Sequence, residues 1–574
     1  MHVWTRRPPM MWPGIWSLAL AGLLLGPALG PGYVLSYDLV WVPDLAFRGD
    51  FLGLSTGLPR AVPSDAVVSV LDEVVPSQLL QKLMLAGFLV AAGVGTARLV
   101  RPGPGATLAR LVAVTLVVWN PFVVERLVIG HWPVLVGYGV LPWLVAAART
   151  WRVEGRPPPQ IWVLAPLGSL SASAGVVTAV VVLAFALTGG ARRWLGPLGL
   201  VAAANAPWVV AGLLHAGSAV TDASGAGVFG LSGEGSLPAP LTALSLGGIW
   251  NGEAVPSSRT GFQAWVALVL LVALVALGAR SWWRHEERRD ALAFVGCWGA
   301  GMTVALLTWA VPDAVGWLVQ EVPGAGLFRD GSRTLALCAP LLVLVAAEGA
   351  RRIWCRVTEP PVLRAVVGAT LVVLPVSVLP DAAWGVAGRL VPVDYPASWA
   401  TARDVVEDAH ASRPGDVLLL PLTSYRAPAW LDGGKILDPM GRYLTPDYVA
   451  ADDLVVSGVR VSGEDARVRD VRRALALPSP ESRAEALAAL GIGYVVLEPD
   501  AFGPAPEVAG EVLLDEPDVR VTALGDVTER TTPTGRVVAL ALAWSAYVAS
   551  VVVGSAACVV AARRRRHTGS ATSS

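Results

Sequence analysis

The chain has 574 residues, of which 54% are hydrophobic and 15% are charged, whereas an ordinary soluble domain has about 25% charged residues. This composition excludes a soluble globular protein, which needs more polar surface, and a disordered chain, which contains far fewer apolar side chains. The presence of only four cysteines excludes a disulfide-rich secreted scaffold. The remaining class is a protein that crosses the membrane several times.

The charges are unevenly distributed along the chain, although 44 basic and 44 acidic residues give a net charge of zero. Residues 381–536 contain 25 acidic and 15 basic side chains, so the rest of the chain carries an excess of bases. An acidic, less apolar region is therefore inserted in a basic, apolar chain. No basic tract with interleaved aromatic residues indicates nucleic acid as a partner.

Ten apolar stretches have about the 17–25 residues of a transmembrane helix. They lie near 12–30, 79–98, 107–124, 131–149, 194–214, 262–280, 291–311, 334–350, 362–380 and 537–560. Arg6 and Arg7 before the first stretch also resemble the start of a signal peptide, but because nine more spans follow we predict a retained first helix. The predicted parts are a transmembrane domain at 1–380, a second domain at 381–536, and a last helix with a basic cytoplasmic tail at 537–574.

An eleventh apolar stretch, 161–188, is interrupted by a run of small residues at 168–175. It fits either one tilted span or a re-entrant hairpin that enters and leaves on the same side. Cytoplasmic loops are enriched in Lys and Arg. With a hairpin and both termini inside, the inner segments hold 22 basic residues and the outer segments, without 381–536, hold seven. A single span would place Arg563–Arg566 outside, so we predict the hairpin.

The predicted protein is therefore an α-helical plasma-membrane protein with ten spans, a re-entrant hairpin and both termini in the cytoplasm. The long first outer loop, 31–78, and the region 381–536 face outside. Trp41 and Phe47 favour a position of this loop along the membrane surface.

The region 381–536 has the pattern of a mixed α/β domain. Strands are predicted at 416–422, 493–497, 511–514 and 519–524, and a helix runs from Ser479-Pro480 to Gly491 because these residues suit its two ends. The segment 421–448 holds four prolines and four aromatic residues. Tyr425 and Trp430 in this segment are candidate sugar-stacking residues, and the alternative is that these rings pack the loop onto the domain or the membrane interface.

Two acidic residues stand out in the first outer loop. Asp38 follows the end of the first span directly, and Asp44 comes six residues later. A carboxylate that is partly removed from water at such a position can act as a general base on a hydroxyl group. The alternative is that these acids only solvate a loop outside the membrane.

Two further groups of polar residues lie on the same predicted side. Glu125, Arg126 and His131 surround the short turn between the third and fourth spans, and Arg329, Asp330 and Arg333 precede the eighth. Guanidinium groups match the geometry of phosphate oxygens. The alternatives are an interfacial ion pair at the first group and a helix cap at the second. We expect all six residues to meet Asp38 in one outward-facing cavity.

These features resemble those of the C-type glycosyltransferase superfamily. The resemblance covers the membrane part, roughly 1–380, and rests on the acid after the first span, the many spans and the external α/β domain. The segments Asn120–Arg126, Gly130–Trp132 and Phe328–Asp330 look like those of actinobacterial relatives of cell-wall arabinofuranosyltransferases. Many members carry two adjacent acids in the first loop, whereas five residues separate Asp38 from Asp44.

The resemblance implies a glycosyltransferase that uses a polyprenyl-phosphate-linked sugar donor and modifies a cell-envelope glycan or lipid on the outer face. It implies that Asp38 is the catalytic base. Carboxylates such as Asp38, Asp44 and Glu125 can also bind Mg²⁺ or Mn²⁺, but the sequence does not fix their distances. Two other classes remain open: a non-catalytic scaffold of the same fold, and a lipid or glycan transporter, whose intramembrane charges and inverted repeats are not apparent here.

Overall fold

The computed structural model describes residues 10–55, 57–59, 61–217, 224–322, 324–456, 458–525, 527–528 and 532–570. For residues 224, 226 and 565–570 it describes the backbone alone. Three residues in the predicted count of basic residues lie outside the described residues: Arg6, Arg7 and Arg60. Residue 223 and the end of the chain from 571 also lie outside them.

Within these ranges the chain is mainly helical, with several short strands in its C-terminal part. The α-helical segments are α1 (Met11–Leu25), α2 (Gly49–Leu52), α3 (Ser64–Asp72), α4 (Ser77–Leu99), α5 (Ala106–Val118), α6 (Pro121–Val128), α7 (Trp132–Glu154), α8 (Ile161–Leu167), α9 (Ala172–Ala186), α10 (Leu195–His215), α11 (Ser224–Val228), α12 (Ala239–Leu244), α13 (Ser257–Thr260), α14 (Phe262–His285), α15 (Arg288–Ala310), α16 (Pro312–Glu321), α17 (Ala339–Arg356), α18 (Pro361–Ser377), α19 (Ala383–Gly388), α20 (Ala397–Ser412), α21 (Met440–Tyr443), α22 (Ala466–Leu475), α23 (Pro480–Ala489) and α24 (Thr534–Ser570). In α19 the backbone of residues 384–387 is left-handed, so this short segment is a left-handed turn.

The strands are β1 (Tyr33–Val34), β2 (Pro392–Val393), β3 (Asp416–Leu420), β4 (Tyr425–Arg426), β5 (Ile436–Leu437), β6 (Tyr448–Val449), β7 (Leu454–Val456), β8 (Val459–Val461), β9 (Ile492–Leu497), β10 (Glu511–Asp515) and β11 (Arg520–Ala523). Five of them form a sheet in the order β10-β11-β9-β3-β6, in which β3 runs parallel to β9 and β6. The four predicted strands are thus confirmed. The predicted helix is confirmed as α23, which Ser479 caps.

Eight helices of the described chain are long and apolar enough to cross a membrane. They are Met11–Leu29, Ser77–Leu99, Ala106–Val128, Trp132–Glu154, Ala191–His215, Phe262–His285, Arg288–Ala310 and Thr534–Arg564. Two bent pairs, Gly331–Leu337 with Ala339–Arg356 and Pro361–Ser377 with Pro380–Gly388, lie at the other two predicted spans. Proline explains the bends, because Pro340 and Pro380 lack the N–H that a continuous helix would need there. The chain is therefore a multi-pass membrane protein.

The interrupted stretch 161–188 forms two helices, α8 and α9. The start of α8 and the end of α9 both contact one turn of α7. The Trp162 ring lies 6.4 Å from the Trp151 ring, and Arg152 donates to the Phe185 carbonyl oxygen at 3.5 Å. Ser173, near the break between the helices, instead contacts Arg333 at the other end of the bundle. Both ends of the segment therefore lie at the same end of α7, which is the geometry of a hairpin.

The first outer loop is joined to the C-terminal region by backbone and side-chain contacts. β1 pairs with β2, and the backbone N–H of Tyr37 donates to the carbonyl oxygen of Lys435 at 2.7 Å. The Arg48 guanidinium is buried and donates to the carbonyl oxygens of Gly441, Leu444 and Pro446 at 2.7, 3.1 and 3.1 Å. These contacts fix the first outer loop against the region 381–536. The sequence had predicted a position of this loop along the membrane surface.

One hydrophobic core runs through both parts of the protein. It contains Leu24 and Val118 from the membrane helices together with Trp399, Val417 and Tyr494 from the C-terminal region. A second, smaller core lies between the sheet and helices α22 and α23. The C-terminal region is therefore packed on the helix bundle through shared apolar contacts.

We predict that Arg48→Ala destabilises the protein, because three buried carbonyl oxygens lose their donor. Each such loss costs about 1–3 kcal/mol, so we expect the free energy of unfolding to fall by about 3 kcal/mol or more. Thermal unfolding of the purified protein in detergent measures the effect. The control is Arg413→Ala, which removes an exposed pair with Glu511 worth about 1 kcal/mol at most; equal shifts for the two variants would contradict the prediction.

We predict that both ends of the hairpin face the same side of the membrane. In a variant without native cysteines, Arg156→Cys and Arg192→Cys, both exposed, should react with a membrane-impermeant maleimide only after permeabilisation. Asp432→Cys, which is exposed in the C-terminal region, should react in intact cells. Labelling of residues 156 and 192 from opposite sides would show a through-span and refute the hairpin.

Candidate functional site

The turn between α6 and α7 holds Asp38 in place. The Asp38 backbone N–H donates to the Ile129 carbonyl oxygen at 3.1 Å, and the Ser36 hydroxyl donates to the Val128 carbonyl oxygen at 2.6 Å. Gly130 permits this approach, because it has a φ of +82° and a Cβ there would lie 2.0 Å from the backbone nitrogen of Leu39. The first outer loop is thus seated on a turn that only glycine allows.

The Asp38 carboxylate bonds to two aromatic side chains from different parts of the chain. Its Oδ2 lies 3.3 Å from Nε2 of His131, and its Oδ1 accepts a hydrogen bond from the Tyr425 hydroxyl. Burial by itself would raise the pKa of Asp38, but the bonds from His131 and Tyr425 and the charge of Arg333 lower it below its usual value. The side chain keeps 37% of its surface exposed, so an ionised carboxylate is accessible here.

The His131 ring lies between two guanidinium groups. Its Nδ1 is 3.3 Å from a nitrogen of Arg126, and its Nε2 is 3.3 Å from a nitrogen of Arg333. Burial and these two positive charges lower the pKa of His131 to about 4, although Asp38 opposes the shift. In one neutral tautomer Nε2–H donates to Asp38 and Nδ1 accepts from Arg126. Nε2 is then not an acceptor for Arg333, which lies beside it at 3.3 Å.

Asp330 connects the two arginines. Its Oδ2 lies 3.4 Å from Arg126 and 2.8 Å from Arg333, and its Oδ1 accepts from the Ser332 hydroxyl at 2.6 Å. Burial would raise the pKa of Asp330, but the charges of Arg126, Arg333 and His131 and the Ser332 hydroxyl lower it below its usual value. The Arg126 side chain is 1% exposed, whereas that of Arg333 is 32% exposed.

We name these six residues the Asp38 cluster: Asp38, Arg126, His131, Asp330, Arg333 and Tyr425. With a neutral His131 its two carboxylates balance its two guanidinium groups. Arg333 is the member of this cluster whose positive charge reaches the surface. The cluster can therefore present one carboxylate and one guanidinium to a bound molecule.

Ser173 at the tip of the hairpin contacts the cluster and was missed by the sequence reasoning. Its hydroxyl accepts from the Arg333 guanidinium at 3.3 Å. The run of serines at 169, 171 and 173 within an apolar stretch was the signal that could have marked it, since polar side chains at membrane depth are often functional. The hairpin therefore brings a hydroxyl to the accessible arginine.

Two candidates from the membrane part lie in other surroundings. Oε2 of Glu125 accepts from the Ile249 backbone N–H at 3.3 Å, and its side chain contacts Glu234, which pairs with Arg259 at 2.5 Å. Arg329 pairs with Glu464 at 2.5 Å and lies over the Phe229 ring. Glu125 and Arg329 therefore do not meet the other candidates at Asp38, because each has its own partner in a neighbouring loop.

The other two candidates also lie outside the cluster. Asp44 is 71% exposed and pairs with Arg403 of α20 at 2.8 Å. The Trp430 ring packs against Tyr395 at 5.3 Å and Trp399 at 5.6 Å between ring centres. Trp430 therefore contributes to an aromatic core, as the alternative interpretation of this loop proposed.

The proposed metal ligands do not come together. Asp38, Asp44 and Glu125 have the separate partners given above, and no group of three or more His, Cys, Asp or Glu side chains in the described ranges could hold a metal ion. The charged partners of the Asp38 cluster are guanidinium groups. The arrangement therefore does not fit a divalent cation at these residues.

We predict that His131 lowers the stability of the protein in acid. Its folded-state pKa of about 4 lies below the usual value near 6.5, so the unfolded chain binds a proton that the folded protein rejects. Between pH 6.5 and 4 this removes up to about 3 kcal/mol of stability. Thermal unfolding across this range should depend less on pH in His131→Gln; an unchanged dependence would show that His131 is not buried as a neutral ring.

The chain has no counterpart in two comparisons with known proteins. No family model matches it, and no curated protein matches it.

Proposed function

We propose that the protein is an integral membrane glycosyltransferase. It uses a sugar linked to a polyprenyl phosphate and transfers it to a hydroxyl of a cell-envelope glycan or lipid on the outer face of the plasma membrane. The observation that carries the proposal is the position of an accessible, ionised Asp38 beside the accessible guanidinium of Arg333, both within 3.3 Å of Nε2 of His131. The transfer needs both groups, one for the acceptor and one for the donor.

The acceptor hydroxyl donates its hydrogen bond to Asp38 and attacks the anomeric carbon of the donor sugar. The new bond joins the acceptor oxygen to this carbon, and the bond from the carbon to the phosphate oxygen breaks. The hydroxyl proton passes to the Asp38 carboxylate, and the polyprenyl phosphate leaves with the bonding electron pair. Asp38 can accept this proton because its carboxylate is ionised at neutral pH and 37% of its side chain is exposed.

The leaving phosphate gains negative charge as the bond breaks. Arg333 can stabilise this charge because its guanidinium is partly exposed and lies beside the Ser173 hydroxyl. Donors that are already in position when the charge develops contribute most to lowering the barrier. Arg333 is held in position by its bond to Asp330 at 2.8 Å.

Arg126 and His131 position the reacting groups. Arg126 is fully enclosed by Asp330, Ser332 and His131, so it cannot contact a substrate without a rearrangement of the cluster. His131 in turn orients the Asp38 carboxylate through Nε2. The buried ion pair thereby sets the distance between the base and the phosphate-binding guanidinium.

We predict that Asp38→Asn abolishes transfer. The amide retains the size of the carboxylate but cannot accept the proton, and loss of a general base lowers rates by about 10²–10⁴-fold. The assay supplies radiolabelled polyprenyl-phosphate pentoses and hexoses to membranes that contain the protein and measures label in the glycan fraction. The matched control is Asp44→Asn, which lies in the same loop but pairs with Arg403 and should retain full activity.

The outcomes separate the proposal from the two alternatives. Equal activity of wild type and Asp38→Asn would eliminate Asp38 as the base. The scaffold would be favoured if the wild type is folded but transfers no sugar, and if deletion of the protein changes the activity of other envelope enzymes. Movement of the labelled lipid across the bilayer without transfer would favour a transporter.

A further inference from the structure

A large cleft lies between the helix bundle and the C-terminal region. Its volume is about 880 Å³, within the range of about 300–1,000 Å³ typical of ligand-binding pockets. Its walls come from Tyr37 of the first outer loop, the segment 250–253 before α13, the segment 422–425 around the start of β4, and the strand β7. The first outer loop, the segment before α13 and the C-terminal region thus all line it.

The five charged side chains of the cleft, two acids and three bases, are all ion-paired with one another. Lys435 pairs with Glu253 at 2.6 Å. Asp453 pairs with Arg460 at 2.7 Å and with Arg472. A strongly charged ligand would have to compete with these pairs for their partners, whereas a neutral ligand can bond to their remaining donors and acceptors. The lining therefore favours an uncharged molecule with many hydrogen-bonding groups.

Aromatic and apolar groups form the remainder of the lining. The rings of Tyr37, Tyr425 and Trp250 line the cleft, and the first two meet edge to face with their centres 6.1 Å apart. Flat rings suit the C–H faces of sugar rings, while polar groups beside them bond the hydroxyls. A carbohydrate presents flat apolar faces between polar groups, so it matches this lining.

Tyr425 connects the cleft to the Asp38 cluster. Its ring lines the cleft and its hydroxyl donates to Asp38, at the position where a hydroxyl of a bound molecule would donate. We propose that the cleft binds a neutral carbohydrate chain as the acceptor, and that one acceptor hydroxyl replaces the Tyr425 hydroxyl at Asp38. The identity of the ligand as acceptor rests on the proposed glycosyl transfer, whereas carbohydrate binding by the cleft does not.

The test measures binding before any activity. Fluorescently labelled full-length protein in nanodiscs is applied to a printed array of neutral linear oligosaccharides, with charged oligosaccharides and peptides on the same surface. Val455→Trp fills the mouth of the cleft from a side chain that is 71% exposed. The matched control is Val459→Trp on the paired strand β8, which is 46% exposed and outside the lining.

We expect the wild type and Val459→Trp to bind at least one neutral glycan, and Val455→Trp and Trp250→Ala to bind it at least about tenfold more weakly. Three results would overturn the site: no bound neutral glycan, equal binding by Val455→Trp, or a preference for charged glycans or peptides.

Tyr425→Phe should bind as tightly as the wild type or better, because no phenol hydroxyl competes for Asp38. A tenfold weaker complex with this variant would overturn the replacement step.

The outcomes for the cleft and for the transfer reaction are distinguishable. If Asp38→Asn retains transfer but the glycan binds as expected, the proposed function fails and the carbohydrate site stands. If Asp38→Asn abolishes transfer but Val455→Trp neither weakens glycan binding nor raises the KM for the acceptor, the transfer stands and the cleft is not the acceptor site.

Discussion

The buried contact between Arg126 and Asp330 is the interaction on which the end of the helix bundle that carries Asp38 depends. It joins α6 to the bent pair that begins at Gly331, and the same guanidinium contacts His131. Removing one partner of such a pair leaves an unpaired charge in a region that water does not reach, which costs about 3–5 kcal/mol. The pair is therefore less a source of stability than a constraint, because each partner requires the other.

This constraint also fixes the positions of the groups that can react. Arg126 fixes the orientation of the His131 ring by its contact with Nδ1. His131 and Tyr425 together hold the Asp38 carboxylate. Asp330 holds Arg333 in turn. Asp38 and Arg333 both lie at Nε2 of His131, so the site presents a carboxylate and a guanidinium at short range, and the charge of Arg333 lowers the pKa of Asp38.

The region around Asp38 is a junction of three parts of the chain. The first outer loop lies on the turn at Gly130 and is bonded to β5 through Tyr37. The hairpin tip contacts Arg333 through Ser173. Since Arg48 secures the same loop through carbonyl oxygens of the C-terminal region, that region is part of the site's support and also forms one wall of the adjoining cleft.

Local patterns in the chain were enough to predict the class of protein and most of its elements, because hydrophobic length, the placement of Arg residues and helix-capping residues act locally. The positions of the eight long apolar helices and of the two bent pairs follow from such local patterns, as do the strands β3, β9, β10 and β11. Only the tertiary structure separated Asp38 from Asp44 and Arg333 from Arg329. Neighbouring residues of the same chemistry have equal local patterns, and their roles depend on which partner, such as His131, Arg403 or Glu464, the folded chain brings to each.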